Sequence, residues 1–177
     1  MSINGSFAST ISGTFDPTNL PTGSVIQVVT ATYNTVGVFS TNTTGSPVST
    51  SGVGLFSQAF TPKRGTSKIV VQTTQVAIHE QSNTANNAWI GAWYGSPSPT
   101  QIGINSGTIS YLCQVGALNQ GYYSLNHTCN SWGAGTTYNI IVRAGMDGSG
   151  FYVNHGDYDQ PSSAYAIIGL TIMEIAG

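Results

Sequence analysis

Asp157 and Asp159 stand two apart in a polar stretch beside His155, and no other part of the chain gathers two acids and a histidine so closely. Those residue types suit general acid–base work or cation binding. Their spacing argues against both. A dedicated calcium loop strings its oxygen ligands over a longer run, and cleavage of a glycosidic bond needs carboxylates that flank it from separate elements. A solvated turn is the ordinary setting for such a trio. His79 and His127 are remote from it and from each other, and none of the three histidines forms a pair at the close spacing that zinc sites use. No Gly-x-Ser-x-Gly elbow marks a nucleophile. Gly91 and Gly95 bracket Ala92, Trp93 and Tyr94, the wrong composition for a phosphate loop. The sequence predicts no enzyme, no metal and no cofactor.

Aromatic rings are the remaining feature. Trp89, Trp93 and Tyr94 form one group, and Tyr122, Tyr123 and Trp132 another. Rings among neutral polar neighbours can stack on sugars, so these six are candidate contacts for a glycan or a protein partner. The competing expectation is that they fill the core or a seam between subunits, where aromatic burial is worth most. Adjacent strand residues face opposite ways. One member of each adjacent pair, Trp93/Tyr94 and Tyr122/Tyr123, is therefore expected to face solvent or a partner.

Composition narrows the class. Only 6% of the 177 residues are charged, with four Lys+Arg, six Asp+Glu and a net charge of −2. About a quarter is usual. Such a chain has no electrostatic footprint for nucleic acid. Lys63, Arg64 and Lys68 are expected in a solvated turn. Forty per cent apolar residues, including nine tyrosines, argue against disorder. No apolar run approaches the roughly 18 residues of a membrane helix, and residues 1–6 carry neither the basic start nor the apolar run of a signal peptide. The Asn-x-Ser/Thr triplets at Asn4, Asn42 and Asn126 therefore say little. Cys113 and Cys129 specify no disulfide framework; buried thiols on neighbouring strands are expected.

The elements that position these residues read as strands. Residues 23–33, 53–60, 67–80, 87–94, 108–115, 122–129, 137–144, 151–154 and 165–175 are rich in β-branched and aromatic residues between Gly/Pro/Asn turns. A short strand at 36–39 interrupts the polar stretch 34–52. Asp147-Gly148-Ser149-Gly150 has hairpin-turn chemistry. No segment has a 3.6-residue apolar period. The fold class is all-β: a single antiparallel sandwich, jelly-roll-like, over residues 23–177, preceded by an extended arm over residues 1–22. Asp16-Pro17 and Leu20-Pro21 keep that arm out of a central sheet position. The last strand is apolar on both faces for most of its length, so each face needs a cover. Ile168, Leu170 and Ile172 make it the candidate intersubunit strand.

Four segments carry a resemblance. Leu20–Val29 (LPTGSVIQVV) resembles the "LPxGSVxQVV" strand of bacteriophage virion β-domain proteins. Phe60–Val71 (FTPKRGTSKIVV) is similar to their "xITPxSxxSKIxV" hairpin. Tyr138–Arg143 with Phe151–Asn154 is similar to their "YxVxVRSxxGTVYIN" pair, and Ile168–Ala176 to their "STITLMEIA" end. Together they cover roughly residues 20–177; the departures fall in residues 81–132. The resemblance implies a non-enzymatic, typically homotrimeric structural domain of tail fibres or capsid-attached proteins. With a short arm and one sandwich, the expected role is a capsid decoration or cement protein. It would be synthesised in the host cytoplasm, carried on the outside of the virion and bound to the major capsid protein or another virion protein. The alternative is a receptor-binding tip that recognises host surface glycans. A hydrolase would rest on Asp157 and Asp159 alone.

Overall fold

A computed structural model describes residues 16, 19–35, 37–39, 49–80, 87–95, 100–108, 120–130, 132–146, 150–154 and 167–177; for residues 36–40, 80, 103–108, 120 and 130 no side chain is described. The strands among them are β1 (Val25–Tyr33), β2 (Gly37–Phe39), β3 (Val53–Phe60), β4 (Lys68–Thr73), β5 (Val76–Glu80), β6 (Asn87–Tyr94), β7 (Thr100–Thr108), β8 (Gln120–Tyr123), β9 (Asn126–Asn130), β10 (Tyr138–Met146), β11 (Phe151–Val153) and β12 (Ile168–Ile175). No α-helix occurs among the described residues, and none is long and apolar enough to cross a membrane. The class is all-β, and every strand pair is antiparallel.

Three four-stranded sheets form, in the orders β1-β12-β4-β9, β2-β11-β5-β8 and β3-β10-β6-β7. The first two are halves of one layer. β4 runs on into β5 and β8 into β9 across two-residue breaks, so both halves keep the same lane order, with β11 in the lane of β12. Threonine hydroxyls repair the backbone at that break. The Thr73 amide donates to the Leu125 carbonyl at 2.9 Å, and the Leu125 amide donates to Thr73 Oγ1 at 2.9 Å. Next to it the Thr74 amide donates to the Gly169 carbonyl at 2.9 Å, and the Gly169 amide to Thr74 Oγ1 at 2.8 Å. A buried amide without a partner is expensive, and each hydroxyl replaces a ladder acceptor.

The third sheet packs on this layer over one core. Ile69, Val71, Ile168, Leu170 and Ile172 come from the first half, Val76, Ile78, Phe151 and Val153 from the second, and Ile90, Ile140, Val142 and Met146 from the opposing sheet. Alternation is clean along β12, where Ile168, Leu170, Ile172 and Glu174 are buried and Gly169, Thr171, Met173 and Ile175 are half-exposed. An edge-to-face contact of Tyr33 with Phe56, centroids 6.2 Å apart, closes the β1–β3 side.

Several expectations change. Residues 67–80 and 122–129 are each split into two strands at the shared break rather than running through. β7 was not expected: Gly, Asn and Ser interrupt its few Ile and Thr, and it exists because β6 supplies a partner along its whole length. The part of the expected strand 108–115 beyond Thr108 lies outside the described residues. Phe151–Asn154 does not form a hairpin with β10. Both edges of β10 are taken by β3 and β6, and β11 pairs with β2 and β5 in the other layer. Likewise the 61–67 loop is no hairpin, since it carries the chain from β3 in one layer to β4 in the other.

Candidate functional site

Glu174 is fully buried, and a buried carboxylate must be satisfied or protonated. Here it is satisfied. Its Oε1 accepts from the amides of Lys63 and Arg64 at 2.9 Å each and from Ser67 Oγ at 2.7 Å. Its Oε2 accepts from Gln27 Nε2 at 2.7 Å and shares the Lys63 amide at 2.9 Å. Burial pushes the carboxyl up, but hydrogen bonds from Lys63, Ser67, Arg64 and Gln27 outweigh it and hold the group below its ordinary value. A carboxylate so enclosed has no access to substrate. It is a structural tie.

The tie gathers both ends of the described chain. Gln27 Nε2 also donates to the Thr61 carbonyl at 2.8 Å, and Arg64 Nη1 donates to the Leu20 carbonyl at 3.3 Å. The Gly23 amide donates to the Ala176 carbonyl at 2.7 Å, and the Ala176 amide returns a bond to Ser24 at 2.8 Å. Lys63 and Arg64, expected in a plain solvated turn, thus lend their backbone to the buried glutamate. Arg64 also pins the last residues of the arm.

The aromatic candidates divide. Trp89 is 4% exposed, Trp93 3% and Trp132 1%, so none of the three indoles offers a face to a sugar, and they are corrected as glycan contacts. Trp132 stacks on Tyr94 with centroids 4.2 Å apart and meets Phe60 edge-on at 6.2 Å. Tyr94 and Tyr123 are half-buried against the core. Trp89 and Trp93 lie on the outer face of β6, edge-to-face at 6.2 Å. Glycines make room there: a Cβ on Gly145, opposite Trp89 in the register, would sit 2.3 Å from the indole, and one on Gly52, at positive φ, 2.9 Å from it. Tyr122 alone is open, at 60% exposure. Tyr122 stands opposite Ala77, two residues along β5 from His79, which Tyr152 meets edge-on at 6.4 Å; the sequence did not reveal this placement because Tyr152 comes from a different segment.

Ile168 and Ile172 are 0% exposed and Leu170 1%. They face the protein's own core, so they cannot also face a second copy. The open apolar row is their neighbour. Val28 and Met173 stand side by side across β1 and β12, with Val25 opposite Ile175 beside them and Val70, already buried, next to Met173 on β4. Val28 is 51% and Val25 53% exposed. Exposed Lys68 stands opposite Ile175 at the end of this face, and Thr30, Thr171, Gln72 and Asn126 form a neutral adjoining row.

Asp157, Asp159, His155 and Cys113 lie outside the described residues, as does most of the arm. Among the described residues no group of three or more His, Cys, Asp or Glu could hold a metal ion. Cys129 is a half-buried free thiol whose Sγ donates to the Ile69 carbonyl at 3.4 Å; burial pushes it up to about 11.

No protein-family model matches the chain, and no curated protein matches it. Among solved structures it is similar to the infectious bursal disease virus VP2 subviral particle, with a TM-score of 0.30 and 14% identity over 85% of this chain and 38% of that one. The chain therefore spans well under half of that protein's length, and a likeness this slight carries neither fold nor function.

Proposed function

We propose that the chain is a structural protein of a tailed-phage virion: a homotrimeric capsid decoration protein on the outer surface that clamps neighbouring subunits of the major capsid protein, with no catalytic role. One observation carries the reading. Three of the four segments that resemble phage virion β-domains meet at Glu174, through Gln27 of the first strand, the 61–67 loop of the second segment and the glutamate of the closing strand. Taken singly, each segment describes an ordinary strand or loop. A network that needs a glutamine in one, a tight loop with serine in another and a glutamate in the third constrains all of them together. That makes chance similarity of generic strands a poor explanation.

The trimer packs, in this reading, through the open row of Val25, Val28, Met173 and Ile175, not through Ile168, Leu170 and Ile172. The neutral row of Thr30, Thr171 and Gln72 beside it lowers the desolvation cost of such a contact, with Lys68 left at its rim. The arm reaches onto the capsid from Leu20, which Arg64 anchors. Removing residues 2–19 is expected to abolish attachment to capsids in a co-sedimentation assay while leaving a folded oligomer. Undiminished co-sedimentation would defeat the arm's role.

A receptor-binding tip is the second reading, favoured by the exposed Tyr122, opposite Ala77 on the face that also carries the Tyr152–His79 pair. A glycan array decides between the two. A decoration protein shows no sugar preference dependent on this face, whereas a preference lost in Tyr122→Ala would place the protein among receptor binders.

A further inference from the structure

On the outer face of the third sheet, β3 carries an extra residue. Val142 stands opposite Phe56 and Arg143 opposite Gly54, so Leu55 bulges out of the ladder. Bulges re-aim side chains and interrupt pairing, often beside binding sites. At this one a cavity of about 370 Å³ opens, lined by Gly54, Leu55, Phe56, Ser57, Ile141 and Arg143. Its size lies at the lower end of the range for small-molecule sites.

Arg143 is set into this cavity with unusual freedom around it. Both its cross-strand neighbours are glycines, Gly54 and Gly91. Two of its nitrogens are fixed: Nε donates to the Ser51 carbonyl at 2.6 Å and Nη2 to the Gly52 carbonyl at 2.7 Å. Nη1 points past Gly54, where a Cβ would come within 3.7 Å. Carbonyls orient a guanidinium but do not neutralise it. Of the described carboxylates, Glu174 is spent on the 61–67 loop, Asp16 accepts from Asn19, and neither pairs with Arg143. Burial accordingly lowers the affinity of Arg143 for its proton, with no opposing carboxylate influence.

The rest of the lining adds two chemistries. Half-buried Ile141 gives an apolar wall, while Leu55 and Phe56 line the cavity with their side chains turned into the core. At the mouth the exposed Ser57 hydroxyl is paired with the half-buried Asn139 amide group, their atoms 3.1–3.2 Å apart, a neutral pair suited to hydroxyl groups. A held cation, an apolar wall and neutral hydrogen-bonding groups match a pyranose that bears a carboxylate: the acid to Arg143, a C–H face to the wall, hydroxyls to the rim.

We propose that this cavity binds an acidic sugar residue of the hexuronate type, with Arg143 taking the carboxylate. The site is distinct from the Tyr122 face and does not depend on the virion reading. Guanidinium–carboxylate pairing is charge-assisted and directional, and one ring in an open cavity is expected to bind in the millimolar range.

The test is ligand-observed NMR titration of the full chain with sodium glucuronate, glucose, sodium acetate and N-acetylglutamate amide. Saturable glucuronate binding is expected, with glucose and acetate each at least about tenfold weaker, since a lost charge-assisted bond is worth about that factor or more. Arg143→Gln is expected to lose it by a similar factor. Because Arg143 also holds Ser51 and Gly52, Gly54→Val supplies an independent variant: it fills the space before Nη1, leaves those bonds intact and should also abolish binding, with the melting temperature showing that both variants fold. Absence of saturable glucuronate binding to the wild type, or equal binding by folded Gly54→Val, would overturn the proposal. So would N-acetylglutamate amide binding as tightly as glucuronate, which would assign the cavity to a protein carboxylate.

Discussion

Glu174 shows how much one residue decides. Four donors from two segments converge on it, and hydrogen bonds to a buried charge are among the strongest a protein makes. Replacing it by Gln puts an NH2 group among donors and leaves some of them buried without an acceptor. Glu174→Gln is expected to cost about 3 kcal/mol of unfolding free energy by denaturant titration at pH 7. The pH dependence follows from the direction of its shift. The folded carboxyl titrates below its unfolded value of about 4.3, so its contribution is complete above that value and is lost as pH falls through the lower, folded one. The gap between wild type and Glu174→Gln should therefore narrow under acid; a gap constant from pH 7 to pH 3 would contradict the tie. Cys129 makes a second case. Its thiol is pushed from 9.0 to about 11, which lowers the thiolate fraction near pH 8 about a hundredfold. In a Cys113→Ser background, iodoacetamide should alkylate folded Cys129 at least about a hundredfold more slowly than the unfolded chain.

At the scale of elements, the strand breaks matter most. A strand that ran from Lys68 to Glu80 would need unbroken partners on both sides. The chain instead interrupts β4/β5 and β8/β9 at one level and lets threonine hydroxyls complete the ladder. Thr73 is 8% exposed, so Thr73→Val keeps the shape while leaving the Leu125 amide without its acceptor. It is expected to destabilise by about 1–2 kcal/mol and to speed hydrogen exchange at Leu125; unchanged exchange there would show that another acceptor takes over. The strands at 53–60 and 87–94 were legible to the residue, because their apolar density and flanking Gly, Pro and Asn leave little choice. β7 was not, because the Gly, Asn and Ser of Thr-Gln-Ile-Gly-Ile-Asn-Ser-Gly-Thr dilute its Ile and Thr below a strand signal until β6 lies beside it. The turn-like Asp147–Gly150 stretch misled for a related reason. Turn chemistry states that the chain reverses, not which sheet receives the next strand.

At the scale of the molecule, the open row on the first sheet is the feature with the largest consequence. If Val28 and Met173 lie between subunits, Val28→Lys and Met173→Lys should each convert a concentration-independent trimer into a folded monomer by light-scattering chromatography. Val28 is already 51% exposed, so a lysine there costs the isolated chain little. A wild-type monomer across the concentration range would remove the trimer and with it the clamp model.

The sequence by itself determined the class of the protein. A chain poor in charge, with β-branched runs, turn residues between them and no helical period, becomes an antiparallel sandwich, and the apolar last strand has to lie where one face meets a core. It also held the Gln, Ser and Glu of the tie as separate letters in separate segments. Only the tertiary structure decided that these meet, that all three tryptophans are covered, Trp132 in the core and Trp89 and Trp93 on the outer face of β6, that Ile168, Leu170 and Ile172 face the protein's own core while Val28 and Met173 remain open, and that a bulge at Leu55 leaves Arg143 beside an unfilled cavity. The reason is physical. Alternation along a strand fixes which residues share a face, but the choice of the inward face, and of what covers the outer one, is made by strands far away in sequence that pack against it.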